Sequence, residues 1–423
     1  MELLRGKPEN SFAQLPRYFY MIQQTNLGSV VMLKKDENNS FLYAFMSLKA
    51  SISGWNHCIP IMIVDGTFLK SPYGGKIFPL AFAVTDSEND ASWNWFFTNI
   101  KSVFGIREEM CIISDRHDSI KKAIESVFEG EVQHDICIYH LLNNVKYKFK
   151  KKNKKIKDLF MAAARAYTKT EFKIHMDKLH KTSPKLTEYL NGVGLKKWAV
   201  SQFVNKRYNI LTSNTTESFN AAVNRARELP VTMLMEYLRN LVQRWSCKNK
   251  NLAKETFTKL STKYETLFRE NYLESMELKV DGTSDEYIFS VINLGSTFTV
   301  NMKDMTCTCN KFQVDMLPCR HASAVCYDKH QDPHEYCSNY FTNEEMLATY
   351  EEVVYPVDKE DTWDIPTEVE NYIILPSVGR IKAGKPKKRR IKGAVEQQTQ
   401  NRCTWCRAYG HNRKTCRNMP KKK

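Results

Sequence analysis

The chain has 423 residues, 42% of them apolar, and a formal net charge of +16. That length suits two or three domains, each able to bury its own core. No run of eighteen apolar residues occurs, so a membrane-spanning helix is not expected, and the opening MELLRGKPENSF lacks the apolar core of a signal peptide. An intracellular chain is therefore expected, in which the twelve cysteines read as reduced thiols or metal ligands rather than disulfides.

The charge is uneven. From Ser377 to Lys423 sixteen Lys and Arg face one acid, Glu396, so the tail carries +15 and the preceding 376 residues +1. Such a distribution points to a polyanionic partner for the tail rather than to a uniformly basic fold.

Residues 1–40 read as a lead-in, helical or looped, with Tyr18, Phe19 and Ile22 as packing candidates and the look of a trailing edge of something longer. Leu42 to Ile52 shows apolar residues at mixed helical spacing. Ile61-Met62-Ile63-Val64 followed by Asp65-Gly66 predicts a buried strand ending at a turn. Lys76 to Thr85 is a second strand, with Pro72-Tyr73-Gly74-Gly75 suiting the intervening hairpin. Ser92 to Phe104 is an aromatic helix. Met110 to Asp115 repeats the strand-then-carboxylate pattern before a helix from Asp118 to Val127, for which Ser114 and Asp118 are N-cap candidates. His134 to Ile138 is a short strand and Tyr139 to Phe149 a helix. This alternation predicts an α/β fold, a sheet with parallel strands and helices on both faces.

From about 150 to 204 the pattern is helical and charged. Thr212 to Asn220 opens a further helix that places Glu217 in its first turn, where the helix dipole favours a carboxylate. Helices continue over 231–275. A small zinc module at 284–330 opens with two strands, Glu286 to Leu294 and Thr297 to Asn301, which lead to a cysteine-rich motif at Cys307. A helix-and-loop segment fills 331–375, its composition loosening beyond Pro356. A basic linker at 376–400 is expected to be disordered until bound, and a last cysteine-rich motif occupies 401–418.

Three constellations carry chemistry. Asp65 and Asp115 at strand ends and Glu217 on a helix can together hold two divalent cations roughly 3.5–4 Å apart, and an all-oxygen site suits Mg²⁺ or Mn²⁺. Spacing alone fits three unrelated acids equally well, and Asp118 rivals Asp115. The second is Cys307-x-Cys309-x9-Cys319-x-His321, four donors able to close tetrahedrally on Zn²⁺; Cys326 and Cys337 fall outside it and read as core thiols. The third is Cys403-x2-Cys406-x4-His411-x4-Cys416, a zinc-knuckle spacing. Trp405 and Tyr409 lie between its ligands, placed to stack on unpaired bases, among Arg402, Arg407, Arg413, Lys414 and Arg417. The run Lys385-Pro386-Lys387-Lys388-Arg389-Arg390 suits phosphate contact and nuclear import.

The segments IVDGTFLKSPYGG, IISDRHDSIKKAI, CIYHLLNNV and TSNTTESFNAAVNRARELP resemble the transposase domain of Mutator-like elements. The resemblance covers roughly 41–230 and extends through the Cys307 motif, which resembles a SWIM-type zinc finger. It implies a ribonuclease-H-like core with an all-helical insertion at about 150–204, and a DDE triad on Asp65, Asp115 and Glu217. Cys137 and His140 match the family's Cys-x-x-His, with a role in local architecture or DNA positioning. Two departures, Asn26-Leu27-Gly28-Ser29 for the family's Asn-Pro-Gly-Ser and His117-Asp118 after Asp-Arg, leave the triad untouched. The expected activity is DDE-type transposition with two structural zinc sites, DNA as partner, assembly on two DNA ends and a nuclear location. The competing reading is a domesticated nuclear DNA-binding regulator without transposition, and a third is a general nuclease. Family members usually carry an N-terminal DNA-binding region, which nothing before Ser29 supplies.

Overall fold

The computed structural model describes residues 8–65, 68–73, 76–149, 154–203, 208, 210–211, 223, 226–377, 405–406, 416 and 418–419, with the backbone alone for 8–9, 65, 68–73 and 76–77. Residues 1–379 form one compact unit and 380–423 another.

Helix α1 (Pro8–Thr25) precedes strands β1 (Val30–Lys35) and β2 (Phe41–Ser47), helix α2 (Lys49–Trp55), and the meander β3 (Ile61–Asp65), β4 (Phe68–Tyr73), β5 (Lys76–Thr85). Then come α3 (Asp90–Phe104), β6 (Cys111–Ser114), α4 (Asp118–Phe128), β7 (Gln133–Ile136) and α5 (Ile138–Phe149). The seven strands make one sheet in the order β1-β2-β5-β4-β3-β6-β7. Only β3, β6 and β7 run parallel; the other pairings are antiparallel. The sheet thus has the expected parallel strands, joined to an antiparallel half. Two-residue connections between β3, β4 and β5 permit hairpins alone, whereas the helices α3 and α4 supply the crossovers that parallel pairing needs.

Alternate residues of β3 enter opposite cores, as a strand's period of two requires. Met62 and Val64 pack with Phe97, Ile100, Ile120 and Ile124 of α3 and α4. Ile61 and Ile63 join Leu260, Tyr264 and Phe268 on the other face. Each such side chain contributes about 1.5–3 kcal/mol by leaving water. The stretch from Leu42 is strand β2 and then α2, not one helix, because β2 is buried on both faces and so lacks any period to read.

Helices α6 (Lys154–Arg165), α7 (Lys169–Thr182) and α8 (Pro184–Val193) pack with α5 around their own core of Leu141, Phe160, Leu179, Leu190 and Trp198. Helix α9 (Val231–Lys254) lies against α1, and α10 (Thr262–Ser275) follows. A second sheet, β11-β10-β9-β8, comprises β8 (Lys279–Gly282), β9 (Ile288–Asn293), β10 (Ser296–Asn301) and β11 (Thr306–Cys307). Leu294 and Gly295 join β9 to β10 with φ of +48° and +76°, the pair of positive values a two-residue type I′ turn requires. Helices α11 (Lys311–Asp315), α12 (Arg320–Asp328), α13 (Asn343–Thr349) and α14 (Thr367–Glu370) complete the unit.

The stretch beyond Pro356 is not loose. Leu375 bridges Ser40 beside β2, with Phe41 N–H donating to Leu375 O (2.9 Å) and Leu375 N–H to Asn39 O (2.8 Å). Ile374 is buried, and Trp363 packs near Tyr18 of α1. Its anchors are too widely spaced along the chain to show a period. Buried Arg239 of α9 ties the same strap down: it pairs with Glu236 (2.8 Å) and donates to Tyr355 O (2.9 Å), while Tyr18 donates to Glu236 (2.8 Å). No helix among the described residues is long and apolar enough to cross a membrane.

Candidate metal centre and strand-end carboxylates

Cys307 ends β11, opposite Val300 of β10. Asn310, at φ +65°, turns the chain so that its N–H reaches Cys307 O (2.8 Å). Gln313 clamps the strand end: its Oε1 accepts the Cys307 N–H (3.0 Å), and its Nε2 donates to Cys307 O (3.0 Å) and Asn310 Oδ1 (2.7 Å). Cys319 is the N-cap of α12 and His321 lies in its first turn, where free N–H groups favour a thiolate.

The donor atoms of Cys307, Cys309, Cys319 and His321 lie within 4.8 Å of one another. Nδ1 of His321 is 3.5 Å from Cys307 Sγ and 3.9 Å from Cys319 Sγ. Tetrahedral zinc, with Zn–S near 2.3 Å and Zn–N near 2.0–2.1 Å, separates its ligand atoms by roughly 3.5–3.8 Å. The cage therefore has the size of that ion. Phe298 stacks on the His321 ring at 4.0 Å between centroids and holds its plane. Hydrogen bonding with Cys309 and Cys319, then burial, pushes the Cys307 thiol far up, while the hydrogen bond from Cys307 drives Cys309 far down. Three crowded sulfurs share negative charge poorly by themselves, and a zinc ion would stabilise all three as thiolates.

The module is not a pendant. Tyr167, between α6 and α7, donates to both oxygens of Asp315 (2.9 and 3.0 Å), and Asn310 Nδ2 donates to Tyr167 O (2.7 Å). Burial and then Asp315 raise the Tyr167 hydroxyl well above its ordinary value, so it stays a donor. On the other side Asn271 of α10 donates to Pro318 O (3.0 Å). Asn310, Gln313 and Asp315 lie within the spacer between the ligand pairs, and nothing in their residue types marked them.

At the first sheet, β3 and β6 pair in parallel with Ile61 opposite Cys111, Met62 opposite Ile112 and Ile63 opposite Ile113. Asp65 is the last residue of β3, and Asp115 directly follows the last residue of β6, its parallel neighbour. Asp115 is half-buried, and its Oδ1 accepts the His117 N–H (3.0 Å). His117, not Ser114 or Asp118, caps α4, its ring accepting the Ser119 N–H. Ser114 is buried inside the sheet edge instead, donating to Asp115 O (2.7 Å) and sharing a hydrogen bond with His134 Nε2 (2.8 Å). Asp118 is the exposed first residue of α4. Burial, with Lys197 and Lys121, depresses His134 to about 4, so the ring bonded to Ser114 is neutral at physiological pH.

Cys137 is buried just beyond β7, its N–H donating to Ser114 O (2.9 Å), and His140 is half-buried in the first turn of α5. Among the described residues neither joins a group of metal ligands. Glu217 lies outside the described residues, as do Lys385, Lys387, Lys388, Arg389, Arg390, Cys403, Tyr409 and His411. Of the knuckle motif, Trp405 and Cys406 form a turn with the indole 41% exposed, and Asn418 links Cys406 to Cys416, donating to Cys406 Sγ (3.7 Å) and accepting from Cys416 (3.7 Å). The core thiols Cys326 and Cys337 are buried.

Residues 61–144 match the family model of the MULE transposase domain, and residues 298–330 that of the SWIM zinc finger. The chain carries a MULE transposase domain and a SWIM zinc finger. None of the curated proteins matches it. The MULE match begins at the first residue of β3 and ends within α5, so it takes in Asp65, Asp115, Cys137 and His140. The SWIM match takes in all four members of the cage. Together they make this a zinc-binding chain with a transposase-like, DNA-related function.

Proposed function

We propose that the chain is a DDE-type DNA transposase of the Mutator-like class, with Asp65, Asp115 and Glu217 holding Mg²⁺ or Mn²⁺. The observation that supports this reading is the parallel pairing of β3, which ends in Asp65, with β6, which Asp115 follows, inside the MULE match. Strand order β5-β4-β3-β6-β7, with β4 antiparallel, supports a ribonuclease-H-like core to which β1 and β2 add an edge and α6–α8 an all-helical insertion. When bound, the ions would activate the attacking hydroxyl and steady the leaving oxygen of a phosphodiester. The chain's own part is positional. Ser114 and the His117 N–H fix the Asp115 turn, and neutral His134 holds the Ser114 hydroxyl.

The tail contributes a second, knuckle-type zinc site and a basic segment that hold nucleic acid, single-stranded bases stacking on Trp405 and Tyr409, and Lys385 to Arg390 direct the chain to the nucleus. The enzyme works as an oligomer on two DNA ends. The test is strand cleavage and joining by the purified chain on terminal-repeat DNA with Mg²⁺ or Mn²⁺. Asp115→Asn is expected to lower the rate by about 10²–10³ while leaving DNA affinity intact. Undiminished cutting by that variant rejects the site. DNA binding with no cutting by the native chain leaves the domesticated regulator.

A further inference from the structure

The near-neutral balance of residues 1–376 hides a segregation. Residues 146–197 hold sixteen Lys and Arg against four acids, a surplus of +12 that −11 on the rest of 1–376 cancels. These residues belong to the helical block, whose apolar side chains Ile156, Phe160, Phe172, Met176 and Leu179 turn inward to its own core. Its cations consequently face water: Lys169, Lys173, Lys178, Lys181 and Lys185 of α7 and α8 are all exposed, and among the described residues no ion pair engages them. A solvated helical surface ordinarily mixes both signs of charge. This one does not.

The surplus also reaches the strand-end carboxylate. Arg116, next to Asp115, donates to the hydroxyl of Tyr189 on α8 and lies over its ring at 5.5 Å. Lys148 lies over the same ring at 4.4 Å, and Phe149 packs against it at 5.7 Å. One aromatic platform thus holds two cations together that would otherwise repel, beside the residue proposed to bind a catalytic ion. A pair of fixed cations converging there suits a phosphodiester backbone, which carries one negative charge per phosphate.

We propose that the helical block is a duplex-DNA arm, its α7–α8 lysines gripping phosphates of the flank and Arg116 with Lys148 on Tyr189 holding the phosphate nearest Asp115. This rests on the transposase reading for the identity of the polyanion. The test uses the full chain, a labelled non-specific DNA duplex and fluorescence anisotropy across a salt series. Each phosphate contact adds about 0.9 to the slope of log affinity against log salt. The variant with Lys169, Lys173, Lys178, Lys181 and Lys185 all changed to Gln is expected to lose about 3 or more from that slope, and Arg116→Gln with Lys148→Gln about 2, with thermal melting unchanged. Native slopes in both, with melting retained, would overturn the arm. So would loss confined to a single-stranded RNA probe. If binding responds as expected while cutting ignores Asp115→Asn, the arm stands and the catalytic reading falls; the reverse pattern separates them the other way.

Discussion

The zinc cage and the carboxylate edge are built by opposite strategies. All four cage donors fall within fifteen residues, on a strand end, a turn and a helix cap, so local geometry nearly closes the site by itself. Asp65 and Asp115 are fifty positions apart, and the strands they follow are neighbours only because β6 comes back beside β3 in one particular register. A one-residue slip there would invert every side chain of the strand. The first kind of site depends on its ligands, the second on the whole sheet.

The sharpest way to break the comparison is at the cage. Cys319→Ser, or exhaustive chelation, removes a structural zinc whose binding is worth about 10–16 kcal/mol. It should unfold the β8–β11 module and release Asp315 from Tyr167, measured as lost hydrogen-exchange protection there while β3 and β6 stay protected. Elemental analysis of the native chain should give two zinc atoms, one from the cage and one from the knuckle.

The next test addresses the long-range half. Arg239→Met strands Glu236 and frees Tyr355 O, so global stability should fall by about 2–4 kcal/mol in denaturant melts with zinc content unchanged. The smallest effect is one of pH. His134 titrates near 4 in the fold against about 6.5 unfolded, so the unfolded state binds more protons in between. Stability is fully present above pH 6.5 and should decline by about 1–3 kcal/mol as pH falls toward 4. His134→Gln should flatten that decline.

The same contrast governs what could be read before folding. Cys307, Cys309, Cys319 and His321 announce themselves by spacing, and β3 and β6 by apolar runs that end in aspartate. Strand β1 does not, because an edge strand that is half-exposed, VVMLKK, carries little alternation. Strand β4 was hidden by Pro72, a residue that removes a ladder donor. The antiparallel meander and the cap by His117 are local, yet no strong residue signal marks them, the cap being a ring nitrogen rather than a hydroxyl or carboxylate. Tyr167 depends on Asp315, distant in the chain, and Gln313 on nearby Cys307 and Asn310; both are ordinary residue types whose importance lies in what they touch. The basic helices were masked for a simpler reason, that summing charge over a long stretch erases its geography.

The bridge between Leu375 and Ser40 has a consequence for biosynthesis. During translation, β2 leaves the ribosome early but must wait for more than three hundred further residues before its neighbour at Leu375 arrives. Through that interval the part of the α1–β2 core that Val354, Trp363 and Ile374 cover stays bare, the state in which nascent chains recruit chaperones or aggregate. A transcript ending just after the zinc finger would make that exposure permanent.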